Sequence, residues 1–263
     1  MRYYFICNWK MNPASFGKAR SLLNEYNKLF VPNKKERWLD KKVVVCPPFL
    51  YFQLFDQYRA RSIHLGAQNI FWKSRGNYTG QVSAKMIKDF GSEYVIVGHS
   101  ELREAGDNEY LIREKIREAL KFSITPIICV GYNDYIKETL NILNSFLAEE
   151  INRMIFAYEP VEAIGSNNPI SPERVEEVIH GMKKLIYRKF RKKLFARLFG
   201  LGGRKNLIPH PAILYGGSIN LQNYKNYLRV PDLGGFVIGR ESLNPVNIKE
   251  IALGFDAVEK INI

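Results

Sequence analysis

Short apolar runs and longer amphipathic stretches alternate along the chain from one end to the other. The runs cover Tyr4–Asn8, Val43–Cys46, Ile63–Gly66, Tyr94–Gly98, Ile124–Val130, Ile155–Glu159, Ile213–Gly216 and Gly235–Gly239. They are nearly continuous rather than alternating, as strands buried on both faces should be. Between them lie segments of helical period, among them Ala14–Phe30, Asn108–Phe122, Tyr135–Leu147, Pro172–Lys189 and Pro245–Lys260. The stretch from Pro172 has a sharp start: Ser171 stands at the capping position, and Glu173 and Glu176 lie near the positive end of the helix. Eight strands each followed by helical sequence predict a single closed (β/α)8 barrel with eight parallel strands. A doubly wound open sheet is the alternative. No low-complexity linker or composition break divides residues 1–263, so they read as one domain.

Composition narrows the class. Apolar residues make up 46% of the 263, too many for a disordered chain. No run approaches the ~20 residues of a membrane helix, and the first is too short for a signal peptide. A soluble cytoplasmic protein without a membrane partner is expected. Cys7, Cys46 and Cys129 lie far apart, one in each of three runs, with no CxxC spacing. That pattern argues against a disulfide framework or a zinc site, and neither metal nor cofactor is expected.

The formal charge of +13 is concentrated in one place. Between Tyr187 and Asn206 lie Arg188, Lys189, Arg191, Lys192, Lys193, Arg197, Arg204 and Lys205, with no acid. Such a run reads either as a stripe for nucleic acid or a membrane surface, or as a solvated helix face. Leu194, Phe195, Leu198 and Phe199 recur at helical spacing, which favours the solvated face. Nucleic acid is therefore not the expected partner.

Polar residues gather where the strands end. Asn8 and Lys10, Gln68 and Asn69, His99, Gly131, Glu159, Gly216 to Ser218, and Gly239 all fall at or just after an apolar run. In a barrel those ends share one face, so a cation, an imidazole, a carboxylate and glycine-rich loops converge. That combination suits acid–base chemistry on a small phosphorylated carbonyl compound.

Six motifs make the reading specific. Asn8-Trp9-Lys10-Met11-Asn12, Gly66-Ala67-Gln68-Asn69, Gly98-His99-Ser100-Glu101, Cys129-Val130-Gly131, Ala157-Tyr158-Glu159-Pro160-Val161 and Leu214-Tyr215-Gly216-Gly217-Ser218 occur in order over nearly the whole chain. Together they resemble the triosephosphate isomerase family. The resemblance implies interconversion of dihydroxyacetone phosphate and D-glyceraldehyde 3-phosphate by proton transfer through an enediolate. It makes Glu159 the base and His99 an uncharged donor to the carbonyl, an arrangement of which this family is itself a type example. Lys10 supplies positive charge, and Asn8 and Glu101 hold Lys10 and His99 in position. Gly165, Ser218, Gly239 and Arg240 form the phosphate grip. The other histidines, His64, His180 and His210, read as structural.

The resemblance also implies a lid over Pro160, Val161, Glu162, Ala163, Ile164, Gly165 and Ser166, with Ile164 and Val237 closing on Glu159. The stretch Gln68 to Ser83 resembles a loop inserted into a second copy, so a homodimer is implied, with Thr79 as the contact. Several positions depart from the family. Arg240 stands where a glycine is usual, though its N–H remains a donor. Gln81 and Leu102 replace an acid and an arginine together, which leaves no orphaned charge. Tyr132 and Glu162 exchange donor and acceptor character relative to the family pattern, so a hydrogen bond between them in at least one lid state is expected. Two other functions stay open: a barrel that binds phosphate without turnover, and a protein using the basic stretch to bind RNA or a membrane.

Overall fold

The computed structural model describes residues 2–31, 38, 40–58, 62–163, 168–198 and 208–256, apart from the side chains at 56–58 and 192–198. Eight strands alternate with helices: β1 (Tyr3–Asn8), α1 (Phe16–Leu29), β2 (Lys41–Cys46), α2 (Phe52–Tyr58), β3 (Ile63–Ala67), α3 (Ala84–Asp89), β4 (Tyr94–Val97), α4 (Ser100–Glu104) and α5 (Glu109–Lys121). The second half continues with β5 (Thr125–Val130), α6 (Tyr135–Ser145), α7 (Ala148–Ile151), β6 (Ile155–Tyr158), α8 (Pro172–Leu198), β7 (Ala212–Tyr215), α9 (Tyr224–Tyr227), β8 (Leu233–Ile238) and α10 (Pro245–Gly254). Neighbouring strands pair in parallel in chain order, and β8 pairs with β1 to close the barrel. Closure excludes the open sheet.

The strands are continuous in apolar character because both of their faces are buried. Ile6, Val44, Cys46, Ile96, Ile127, Ala157 and Leu214 fill the interior of the barrel. Their neighbours Phe5, Val43, Val45, Val95, Val97, Ile128 and Phe156 point outward and pack beneath the helices. Each such Val, Ile, Leu or Phe stabilises the fold by about 1.5–3 kcal/mol relative to exposure.

Helix starts follow local chemistry. Ser15, Asn108, Asp134 and Ser171 each accept a first-turn N–H through their side chains. The expected helix from Pro172 continues to Leu198, beyond Lys189, because the apolar period runs on through Leu194 and Leu198. Residues 199–207, with Arg204 and Lys205, lie outside the described residues, as does the expected end of the last helix beyond 256. The short helices α2, α3, α4, α7 and α9 give too few turns for a periodic signal. Among the described residues, no helix is long and apolar enough to cross a membrane.

Candidate active site

The C-terminal ends of the strands surround a cleft of about 410 Å³, lined by Asn8, Lys10, His99, Glu159, Ser218, Gly239 and Arg240 among others. Asn8, His99, Glu159 and Gly216 are delivered by the ends of β1, β4, β6 and β7, elements far apart in sequence. Parallel closure is what brings them together.

His99 caps α4. Its Nδ1 accepts the Glu101 backbone N–H at 3.3 Å, which assigns the ring proton to Nε2 in the neutral imidazole. That Nε2 lies 3.8 Å from Glu159 Oε2, so the donor faces the carboxylate across the cleft. The gap is too long for a direct hydrogen bond.

Glu159 is held where water is scarce. It is 4% exposed, and among the described residues its Oε2 has no hydrogen-bond partner. Its backbone N–H donates to Val130 O at 2.8 Å, fixing the start of the lid to the end of β5. Gly216 leaves room for it: a Cβ there would stand 2.6 Å from Glu159 Cγ and 2.7 Å from Oε1. Burial, with the neighbouring Glu159 charge next, pushes the Cys129 thiol well above its ordinary range, so Cys129 stays protonated.

Lys10 adopts φ 53, a left-handed conformation that costs a non-glycine residue about 1–3 kcal/mol. Asn8 Oδ1 accepts the Lys10 N–H at 3.0 Å, and Gln68 Nε2 donates to Lys10 O at 2.7 Å and to Cys46 O at 2.9 Å. These bonds hold the strained turn. The Lys10 ammonium donates to Glu101 Oε1 at 2.6 Å, so Glu101 touches Lys10 by its side chain and His99 by its backbone.

The phosphate-grip residues divide. Gly239 and Arg240 line the cleft, whereas Gly165 lies outside the described residues, together with Ile164 and Ser166. Ser218 also lines the cleft, but its hydroxyl donates to Ala163 O at 2.7 Å, within the segment expected to form the lid. Past the lid, Tyr215 Oη accepts the Ile170 N–H at 2.9 Å, and Tyr227 donates to Ile170 O. Within the lid, Pro160 leads into a 3-10 turn over Val161–Ala163, in which Glu162 is exposed and Ala163 buried. Val237 is buried on the inner face of β8 and lines the cleft. Thr79 is exposed.

Among the described residues, no hydrogen bond joins Tyr132 and Glu162. The Tyr132 ring instead lies 5.8 Å from the Arg103 guanidinium carbon. Glu162 acts on Tyr158, whose hydroxyl pKa is raised by burial and then by the Glu162 charge.

Two positioning residues have no signal in the motifs. Arg103 donates through Nε to Gly98 O at 2.8 Å and through Nη2 to Cys129 O at 3.2 Å, tying the ends of β4 and β5. Glu138, buried on α6, accepts Gly131 N–H at 2.8 Å and Asn133 N–H at 2.9 Å. A charged side chain on the buried face of an amphipathic segment was the available clue to Glu138.

A family model described as triosephosphate isomerase matches residues 3–254. The chain is 33% identical to the protein named triosephosphate isomerase from Aquifex aeolicus, over 97% of this chain and 100% of that relative. It is 29% identical to the protein of the same name from Dictyoglomus turgidum, over 95% and 98%. With that from Caldanaerobacter subterraneus subsp. tengcongensis the identity is 32%, over 90% and 92%.

Proposed function

This chain belongs to the triosephosphate isomerase family, and from that premise we propose that it interconverts dihydroxyacetone phosphate and D-glyceraldehyde 3-phosphate through an enediolate. The observation that carries the reading is the Glu159 carboxylate and the His99 Nε2–H facing each other, 3.8 Å apart, in one cleft. Glu159 takes a proton from the carbon beside the carbonyl and returns it to the adjacent carbon. A carboxylate with an unpartnered oxygen in a dry wall is suited to that task. His99 donates from Nε2 to the carbonyl oxygen and then serves the neighbouring oxygen as charge develops there.

Lys10 adds positive charge to the same oxygens, and Asn8 and Glu101 keep it in place. The backbone N–H groups of Gly165, Ser218, Gly239 and Arg240 hold the phosphate. The lid, Pro160 to Ser166, closes over the substrate and excludes water, which keeps the enediolate from losing its phosphate.

The whole of residues 1–263 serves as one catalytic domain, working in the cytoplasm without a metal or cofactor. It works as a homodimer, with Thr79 in the contact. Phe71, Trp72 and Tyr78 cluster on the 68–83 loop, and Met86 on α3 and Phe90 at its C-cap are exposed just after it, as an interface of apolar character requires. Sedimentation of the purified protein tests the dimer. A coupled assay with D-glyceraldehyde 3-phosphate tests the activity. Turnover that survives intact in Glu159→Gln would remove Glu159 as the base, and no turnover in the native chain would leave a phosphate-binding barrel.

A further inference from the structure

The catalytic cleft is not the largest cavity of the barrel. A second one, about 700 Å³ against about 410 Å³, opens at the opposite mouth. It lies where β5, β6 and β7 begin, at Thr125, Ile155 and Ala212, and α8 contributes Lys183, Ile186 and Tyr187. Its volume falls within the range of about 300–1,000 Å³ usual for small-molecule sites. The walls are fixed in advance. Pro209 and Pro211, both buried, restrict the chain on either side of His210, whose N–H donates to Asn152 Oδ1 at 2.8 Å. Arg153 donates through Nη2 to Leu120 O at 2.8 Å, and Lys183 pairs with Asp232 at 2.6 Å, joining α8 to the turn before β8. The lining has two chemical halves. Met154, Ile155 and Ile186 are buried apolar side chains, and Tyr4 and Tyr187 add aromatic surface. Three cations, Arg2, Arg153 and Lys183, face a single acid, Asp232, which is already bonded to Lys183. Among the described residues no carboxylate pairs with Arg2 or Arg153. Tyr187 also opens the acid-free run that continues on α8 with Arg188, Lys189 and Arg191, so the field at this mouth is positive.

We propose that this mouth is a second binding site, for an aryl carboxylate whose carboxylate meets the Arg2 and Arg153 guanidiniums and whose ring lies against Ile155, Ile186 and the tyrosines. A guanidinium offers a carboxylate two parallel N–H donors and also stacks on aromatic faces, so the same side chains serve both parts of such a ligand. A small inorganic anion leaves the apolar half unused, and an uncharged arene leaves the guanidiniums unused; each binds more weakly. The isomerisation uses none of these groups, which stand at the opposite end of the strands from Glu159 and His99.

The test is calorimetric titration of the native chain with naphthoate at low salt, with naphthylmethanol and acetate as controls that each keep one half of the probe. Naphthoate is expected to bind saturably, and either control about tenfold more weakly or worse. Arg2→Gln and Arg153→Gln should each weaken naphthoate by about tenfold, the scale of one hydrogen bond to a charged group, with kcat and KM unchanged in a coupled assay. Arg2 is exposed, so its variant keeps the test open even where Arg153→Gln loosens the Leu120 contact. Lys10→Gln, which removes a cation from the catalytic cleft, should keep native affinity for naphthoate. No saturable binding, or native affinity in Arg2→Gln, would overturn the proposal. So would loss of binding in Lys10→Gln, which would place the probe in the catalytic cleft.

Discussion

His99 and His64 each sit beside a glutamate in the same barrel, yet their rings carry the proton on opposite nitrogens. His99 follows β4 at the C-terminal end, where Nδ1 accepts a backbone N–H and Nε2 is left to face the cleft. His64 lies near the start of β3, where Nε2 stands 3.2 Å from the Lys42 ammonium and Nδ1 stands 2.9 Å from Glu93 Oε2. An ammonium only donates, so Nε2 accepts and the proton sits on Nδ1, bonded to Glu93. Among the described residues, both His64 nitrogens are used and one His99 nitrogen is not. The two glutamates differ in the same way, since Glu93 is bonded to a histidine while Glu159 keeps an unpartnered oxygen. Between these two pairs, unspent hydrogen-bonding capacity, more than residue type, is what distinguishes the C-terminal end of the strands from the N-terminal end.

Loss of that capacity at the reactive end should be the largest effect. Glu159→Gln is expected to lower kcat by about 10²–10⁴-fold while phosphate binding persists, because the amide cannot take a proton. Calorimetry with phosphate beside the coupled assay separates the two quantities. Gly216→Ala should cost about 10²-fold in kcat without removing any catalytic group, since its methyl would push Glu159 from place. Near-native turnover in that variant would mean the carboxylate has room to spare.

The histidines provide the sharpest contrast. His99→Gln is expected to reduce kcat by about 10²–10³-fold, the usual cost of losing one donor to a developing oxyanion. His64→Gln should leave kcat unchanged and lower stability by about 1 kcal/mol, read from urea unfolding. If both substitutions cost activity alike, the distinction between spent and unspent nitrogens fails.

Alkaline pH probes the interior that both ends share. Burial raises the Cys7 thiol to about 12 and pushes Cys46 and Cys129 well above the ordinary 9.0. A raised acid is protonated in the folded chain where the unfolded chain has already released its proton. Stability is therefore unaffected by these groups below pH 9.0, and falls as pH rises from there through the folded values. Urea midpoints that stay flat well above pH 9.0 would contradict this, and native thiols should resist alkylation at pH 8. The smallest effect is expected outside the strand ends. Arg191 is exposed on α8, so Arg191→Gln should leave kcat/KM unchanged at physiological salt. A large drop would mean that the basic helix steers substrate.

Much of this molecule was legible before any coordinate. Near-continuous apolar runs such as Val43–Cys46 and Ile155–Tyr158 mark doubly buried strands, and Ser171-Pro172 marks a helix start, because burial and capping act through local residue types. Asn8, Lys10, His99 and Glu159 stood out because the polar residues interrupt those runs at their ends, and the six motifs named the family. What only tertiary structure decided is how these groups spend their donors and acceptors. The Nε2–H of His99, the Glu101 bond to Lys10, the Ser218 bond to Ala163 and the missing bond between Tyr132 and Glu162 all depend on contacts across elements. So does the use of Arg103 and Glu138 as ties beneath the site. Sequence spacing determines which face of a strand or helix a residue occupies, but the distance between two strands' ends exists only once β8 has paired with β1.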